Sequence, residues 1–366
     1  MQTLLIIFLS SVAIQVIYFI VLMISISKKR FDKTVPLKPI SVIVCAHDEK
    51  ANLRELIPAL LNQQHPEFEV IIVNDRSNDG TFDWLLDATR KESRLKMVNI
   101  DSTPSHVNGK KYAITLGIRA AKHDWVLLTD ADCRPNNGQW IRFVSERCSE
   151  DKNFVLGYSA YEKRPGFLNL FIRFETLFTA IQYIGYALAG NPYMGVGRNL
   201  AYRKSVFLEN KGFNNFLSVT GGDDDLFVNQ HATTKNTTVA LGSDALVYSF
   251  PKTTLKEFYR QKVRHLSVGK KYHGKHQFLL ALFFITHLVT WFAGILLLIL
   301  STGIVWVASA LVFRTLLFSI TVHQAAERFG QKFEWAAVPL LDFLFVIYYL
   351  STAPVAFLTK KIRWKS

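Results

Sequence analysis

Cysteine is scarce in this chain, and its scarcity excludes two kinds of architecture at once. Cys45, Cys133 and Cys148 are the only three in 366 residues, too few and too irregularly spaced for a disulfide framework or a zinc-ligand set. They fit a reducing compartment and no structural metal. No internal repeat, low-complexity stretch or long Pro/Gly/Ser linker interrupts the middle of the chain, so about 230 residues there should form one compact domain. Acidic residues are also in deficit, with Lys+Arg 43 against Asp+Glu 29 and a formal net charge of +14. The aromatic-basic strand pattern of the usual RNA readers is absent, so this charge does not read as nucleic-acid binding. Basic flanks of membrane segments, which meet anionic lipid, account for part of it.

What the sequence has in abundance is hydrocarbon, at 49% hydrophobic residues, high for a soluble protein of two ordinary domains. Residues 4–26 carry no charge and exceed the roughly 20 residues that cross about 30 Å of hydrocarbon. A cleavable signal peptide fits less well, because no basic region precedes the run and no small-residue cleavage site follows it. Lys28, Lys29, Arg30 and Lys33 come next, and the positive-inside rule puts that end in the cytoplasm. Three further apolar tracts, Phe278–Leu300, Val305–Val322 and Ala336–Leu358, form a C-terminal membrane region over 278–358. If all of them spanned, the basic tail Lys360, Lys361, Arg363 and Lys365 would emerge outside. Two or three spans are therefore expected, with one tract interfacial or re-entrant, and Arg314, His323 and Pro354 mark where the pattern is blemished.

Between these regions, short β-branched runs alternate with helical patterns. SVIVCA (41–46) is followed by HDEKANL, EVIIVND (69–75) by a turn-rich cluster and FDWLLDATRK, and a third unit ends at WVLLTDAD (125–132). Such alternation predicts an α/β domain with a parallel sheet, whose ligands bind beyond the carboxyl ends of the strands. His47, Asp48, Glu49, Asp75, Asp130 and Asp132 all fall there. Asp130 and Asp132 flank one small residue in LLTDADCRP. An Asp-X-Asp triplet alone also fits a solvated turn. At the mouth of a buried strand it suits Mg²⁺ or Mn²⁺, which one or two carboxylates hold while substrate phosphates complete the shell.

The ordered series SVIVCAHDE, VIIVNDRSNDGT, NGKKYAI, LLTDADCRP, GVGRNLAYRK, GGDDDLF and QKVRH resembles the membrane-bound family 2 glycosyltransferases, in the branch of cellulose, hyaluronan and ceramide-glucose synthases. The resemblance covers residues 38–270, between an N-terminal membrane helix at 1–27 and the C-terminal region. It implies a cytoplasmic GT-A domain, inversion at the sugar, a nucleotide-diphosphate donor with UDP expected, and one Mg²⁺ or Mn²⁺. Ala46, His47 and Glu49 would line the nucleotide pocket, Asp75 would bond the uracil or ribose, and Lys110 would lie near the donor phosphates. Asp130 would face the ribose side and Asp132 the metal. In relatives the next acidic motif reads Glu-Asp, one residue, an acid, then Leu. Anchoring on Leu226 makes Asp223 the catalytic base, a slip of one residue makes it Asp224, and Gly222 stands where glutamate is expected. Gln261, Arg264 and His265 replace a Gln-X-X-Arg-Trp motif, and they, with Asp225, would contact acceptor and diphosphate. Histidine in place of that tryptophan weakens a polysaccharide-stacking floor.

Residues 164–190, with Phe167, Phe171, Phe174, Phe178 and Ile181 at helical spacing, cannot span, because that would separate Asp132 and Asp223 across the bilayer. An amphipathic helix in the membrane interface is the expectation, with a buried core helix as the alternative. The expected activity is transfer of a sugar to a lipid-linked acceptor at the cytoplasmic face of a bacterial inner membrane. The alternatives are a processive polysaccharide synthase completed by an oligomer or export partner, and a non-catalytic membrane scaffold of the same fold.

Overall fold

The computed structural model describes residues 1–28, 36–104 and 107–358. Lys29, Arg30, Lys33, Lys360, Lys361, Arg363 and Lys365, on which the topology expectation rests, lie outside the described residues. After helix α1 (Gln2–Ser27), the apolar runs become β1 (Ile40–Ala46) and β2 (Phe68–Asp75), joined through α2 (Lys50–Leu61). Helix α3 (Thr81–Lys91) leads to β3 (Leu95–Ile100), and α4 (Gly109–Ala120) leads to β4 (Trp125–Asp130). These four strands are parallel, as continuous apolar runs covered on both faces should be. β1 lies centrally, with Cys45 opposite Val73 on β2 and Asp130 on β4.

The chain then departs from simple alternation. Short β5 (Cys133–Pro135), α5 (Trp140–Ser145), β6 (Phe154–Gly157) and β7 (Ser159–Tyr161) precede the long helix α6 (Phe167–Leu188), and β8 (Leu200–Arg203) and α7 (Lys204–Glu209) follow it. Next come α8 (Asp225–His231), β9 (Thr237–Ala240), β10 (Val247–Ser249) and α9 (Leu255–Val268). The main sheet runs β3-β2-β1-β4-β8-β6-β9, and β5-β10-β7 make a small second sheet. β8 is antiparallel to both β4 and β6 and β9 is parallel to β6, so β8 alone is reversed in a sheet that is otherwise parallel, as expected. β8 returns from α6 rather than from a β-α crossover, which frees its direction.

The C-terminal tracts are continuous helices, α10 (Gly274–Ile299), α11 (Ile304–Arg328) and α12 (Val338–Leu358). With α1 they are four helices long and apolar enough to cross a membrane, and none is broken into re-entrant halves. Helix α6 corrects the sequence reading. It has no open apolar face, because α1, α10, α11 and α12 surround it. Phe178 alone packs on Phe283, Phe318 and Phe345 at ring-centroid distances of 5.4, 5.1 and 5.2 Å. Arg173, on another side of the helix, is buried as well, and so are Glu175 and Gln182 beside the Phe178 face. The spacing of its phenylalanines reflects packing against other helices of the chain.

One polar cluster ties this bundle together. Arg314 on α11 is fully buried and donates to Asp342 on α12 through two nitrogens and to the Gln15 side-chain oxygen on α1 at 2.8 and 2.6 Å. From α10, His287 lies 3.0 Å from Asp342, and Trp291 donates to it at 3.0 Å. Removing one member of a buried pair leaves the other charge uncompensated, at a cost of about 3–5 kcal/mol, whereas replacing both by apolar groups is far milder. Arg314→Ala should therefore lower thermal stability in detergent sharply, and Arg314→Met with Asp342→Leu should recover most of the loss.

Candidate functional site

The carboxyl ends of β1, β2 and β4 are level, so their loops converge. His47 Nδ1 donates to the Asp75 carbonyl at 2.5 Å, the Asp48 amide donates to Ser77 Oγ at 3.0 Å, and the Asn78 amide donates to Asp48 Oδ1 at 2.6 Å. These bonds knit the first two loops into one surface that carries Ala46, His47, Glu49 and Asp75. The Asp75 carboxylate takes two bonds from Arg76, at 2.7 and 3.2 Å. Only its remaining lone pairs can face a ligand, and Arg76, which the sequence reading passed over, is held with it.

At the end of β4, Lys110 Nζ donates to Asp130 Oδ1 at 2.9 Å and lies 3.6 Å from Asp223 Oδ2. Burial opposes the lysine charge, but Asp130, Asp223 and Asp224 together hold its pKa well above the ordinary range. Burial likewise opposes ionisation of Asp130, yet Lys110, Arg198 and Arg264 keep its pKa low. Asp132 is different. Burial and then Asp130 push its pKa up, and among the described residues the only donor at its carboxylate is the Cys133 thiol, 3.7 Å away. Burial also raises Glu49, with Asp132 and Asp130 adding to the rise and Asn52 opposing it.

The three consecutive aspartates behave unlike one another. Asp224 caps α8: its Oδ1 accepts from the Asp225 amide at 2.8 Å and its Oδ2 from the Gly197 amide at 2.7 Å. Asp225 is buried, accepting from the Tyr272 hydroxyl at 2.8 Å and from the Leu226 amide at 2.8 Å. Asp223 is buried to 5% exposure, and Lys110 Nζ lies 3.6 Å from its carboxylate. Lys111 fixes the approach to it. This lysine is fully buried and donates to the carbonyls of Val219 and, at 2.5 Å, Gly221.

Gly222 has φ +80°, and a Cβ there would stand 2.6 Å from Leu226 Cδ1. Glycine suits this left-handed backbone, where a side chain would be strained.

Helix α9 presents the last group. Thr254 is the N-cap, its Oγ1 accepting from the Glu257 amide at 3.3 Å and donating to Glu257 Oε2 at 3.0 Å, which fixes the start of the helix. Gln261 then donates to the Tyr161 hydroxyl at 3.1 Å. His265 opens into the site, with its pKa pushed well down by loss of bulk water and by Lys262, Arg264 and Arg198, so it is neutral at pH 7. Arg198, the residue the sequence reading missed, lies over the Tyr161 ring at 4.5 Å with its Nη1 buried and without a hydrogen-bond partner. The signal was present in GVGRNLAYRK, which the sequence reading used only as one motif of the series.

Lys110, Asp130, Asp223, Arg198, Arg264 and His265 share one cavity of about 490 Å³, whose wall also includes Asp224, Asp225 and Gln261. Ala46, His47, Glu49, Asp75 and Asp132 lie outside its wall, on the β1, β2 and β4 loops. From the charged end, the cavity runs along Glu175, Thr176, Thr179 and Gln182 on α6 and ends among Phe283, Phe284, Phe345 and Tyr349 of α10 and α12.

Residues 41–210 match the family described as Glycosyl transferase family 2. The chain carries a family 2 glycosyltransferase domain. The matched segment contains Lys110, Asp130, Asp132 and Arg198 and ends before Asp223. A Bacillus subtilis relative named "Probable glycosyltransferase YdaM" is 28% identical over 46% of this chain and 41% of its own length, so this chain spans under half of that protein. A Staphylococcus haemolyticus relative named 4,4'-diaponeurosporenoate glycosyltransferase is 24% identical over 94% of this chain and 91% of its own length. The solved mannosyltransferase PcManGT from Pyrobaculum calidifontis, in complex with GDP-Man and Mn²⁺, shares the fold at a TM-score of 0.58 and 16% identity, covering 94% of this chain and 99% of that one.

Asp225 supplies a test of the electrostatics. Burial and then Asp224 raise its pKa well above the usual carboxylate value, with Tyr272 opposing. The native state therefore holds this proton to higher pH than the unfolded chain, and stability falls as pH rises from the ordinary carboxylate range towards the raised value. Asp225→Asn should flatten that fall and raise the Tm at pH 7, measured by thermal unfolding across pH 4.5–8.

Proposed function

We propose that the protein is an inverting membrane glycosyltransferase that moves a sugar from a nucleotide-diphosphate donor to a lipid acceptor. The observation that carries this reading is the shape of the cavity, one continuous space from Lys110, Asp130 and Asp223 to the aromatic residues of helices apolar enough to sit in a membrane. An acceptor filling it would have a polar head against the α6 stripe and a hydrocarbon tail among α10 and α12. The relative named for 4,4'-diaponeurosporenoate, which aligns over nearly the whole chain, is consistent with an apolar acceptor.

The donor would lie on the knitted β1 and β2 loops, its diphosphate towards β4. Mg²⁺ or Mn²⁺ fits the donor set there. Asp132 and Asp130 offer hard oxygen ligands, and burial, with Asp130 adding to it, raises the pKa of Asp132, a cost of ionisation that a cation would relieve. Among the described residues no group of three ligating side chains surrounds the site, as expected where substrate oxygens complete the shell. Bound there, the ion would neutralise charge on the departing nucleotide diphosphate. Lys110 and the guanidinium groups of Arg198 and Arg264 would do the same from the cavity side, and a guanidinium fork matches phosphate geometry.

Asp223 would take the proton from the acceptor hydroxyl as its oxygen attacks the anomeric carbon and the bond to the diphosphate breaks on the opposite face. It has the free acceptor capacity this needs, whereas Asp224 and Asp225 spend theirs on backbone amides and Tyr272. Lys110 would stabilise the ionised form until a substrate arrives.

Nucleotide release from purified protein, across UDP- and GDP-linked sugars with Mg²⁺ or Mn²⁺, should be stimulated by a membrane lipid extract and by one donor above the rest. Stimulation by water-soluble glycans alone would contradict the lipid reading. Asp223→Asn should lower turnover by roughly 10²-fold or more with little change in donor affinity, while Asp224→Asn loses stability first. The reverse order of effects would transfer the base to Asp224.

A further inference from the structure

The way into the cavity is a separate question from its contents. At one end of the bundle α10 and α12 are joined tightly. Trp291 and His287 reach Asp342 at 3.0 Å each, Trp291 packs on Phe343 at 5.2 Å between ring centroids, and Phe284 packs on Tyr349 at 5.1 Å. The cavity reaches both helices beyond Phe284 and Tyr349. There Gln277 and Ala281 on α10, and Ala353 and Phe357 on α12, line the cavity. Three of these are exposed on the outside of the bundle as well, with Phe357 at 67%.

The surface around this gap is hydrocarbon. Phe278 and Ile285 on α10 and Leu350, Val355 and Leu358 on α12 are all exposed. Pro354 lies beside Ala353 inside α12, and proline withdraws one backbone donor from the helix. Lys270 Nζ donates to the Phe357 carbonyl at 2.6 Å, and Gln277 of α10 donates to the Lys270 carbonyl at 3.0 Å, so a link from α12 through Lys270 to α10 bounds this stretch at its far end. Facing small residues, Ala281 and Ala353, leave room between the helices where the others along them would fill it.

We propose that the cavity opens sideways between α10 and α12, and that the hydrocarbon chain of the acceptor enters through this gap from the surrounding lipid. The head then advances along Glu175 and Thr179 towards Asp223, and the tail stays between the two helices. The proposal rests on the reading that the acceptor is a lipid, and it adds the route. Apolar surface at the rim and a charged end deep inside give an amphiphile one favourable orientation, since the charged end of the cavity is the worst place for its tail.

The test uses the full chain in phosphatidylcholine vesicles containing a few per cent of a phosphatidylglycerol with a diazirine near the end of one acyl chain. After irradiation, adducts are mapped by peptide mass spectrometry. Adducts are expected on interior wall residues Phe283 and Phe345 as well as on outward residues such as Ile285 and Leu350. Ala353→Trp, or Ala281→Trp if the first variant does not fold, should lower the interior adducts at least fivefold, whereas Ile285→Trp on the outer face should leave them unchanged. Adducts confined to outward residues, or interior adducts indifferent to both gap substitutions, would overturn the proposal. Sugar transfer to lipid with no interior labelling removes the gap and keeps the transferase reading. Interior labelling without transfer keeps the gap and removes the acceptor reading.

Discussion

A single ammonium group holds the two halves of the site together. Lys110, at the start of α4, lies 2.9 Å from Asp130 and 3.6 Å from Asp223. One carboxylate ends a strand of the family domain, and the other begins the segment beyond it. At an effective dielectric of about 20, a unit pair at 4 Å attracts by about 4 kcal/mol, several times the worth of an exposed surface pair. The interaction thus belongs to the class that can set where a loop lies. Its neighbour Lys111 holds the Val219 and Gly221 carbonyls from the same turn of helix. Two consecutive lysines therefore couple the main sheet to the aspartate cluster, so the arrangement of the site depends on the start of α4.

The second constraint is the fit of α6 into the helix bundle. It lies between the sheet and helices long and apolar enough for a membrane, and its polar residues Glu175 and Gln182 face inward together with a wholly aromatic contact surface around Phe178. Glu175 is satisfied by the buried Lys262 of α9, the helix that carries Gln261, Arg264 and His265. The cavity wall and Arg264 are consequently fixed by the same packing. A disturbance among the apolar helices would be felt at the charged end without altering any residue there.

Much of this was legible in the sequence, for definite reasons. β-branched runs bounded by polar turns gave β1, β2 and β4, and the acidic residues at their ends lie where parallel strands must present them. The choice of Asp223 over Asp224 rests in the sequence on Leu226 as an anchor; the bonds that Asp224 and Asp225 accept from backbone amides and Tyr272 are not readable there. Other features were not legible. Phenylalanines at helical spacing on α6 look alike whether they meet lipid or other helices, because periodicity reports that a face is apolar and not what covers it. Arg198 and Arg76 went unread because an arginine in a loop has no pattern of its own; only the positions of Tyr161 and Asp75 give them meaning. The antiparallel β8 and the short second sheet depend on contacts distant in sequence, which local signals do not carry.

The account stands on one cavity serving both the acceptor lipid and its proton acceptor. The most direct measurement is an experimental structure in lipid nanodiscs with Mn²⁺, an unreactive donor analogue and the acceptor found by the transfer assay. The account predicts the acceptor oxygen within hydrogen-bond reach of Asp223, about 2.6–3.2 Å, with the tail among Phe283, Phe345 and Tyr349. An acceptor oxygen facing Asp224, or an acceptor bound outside this cavity, would contradict it.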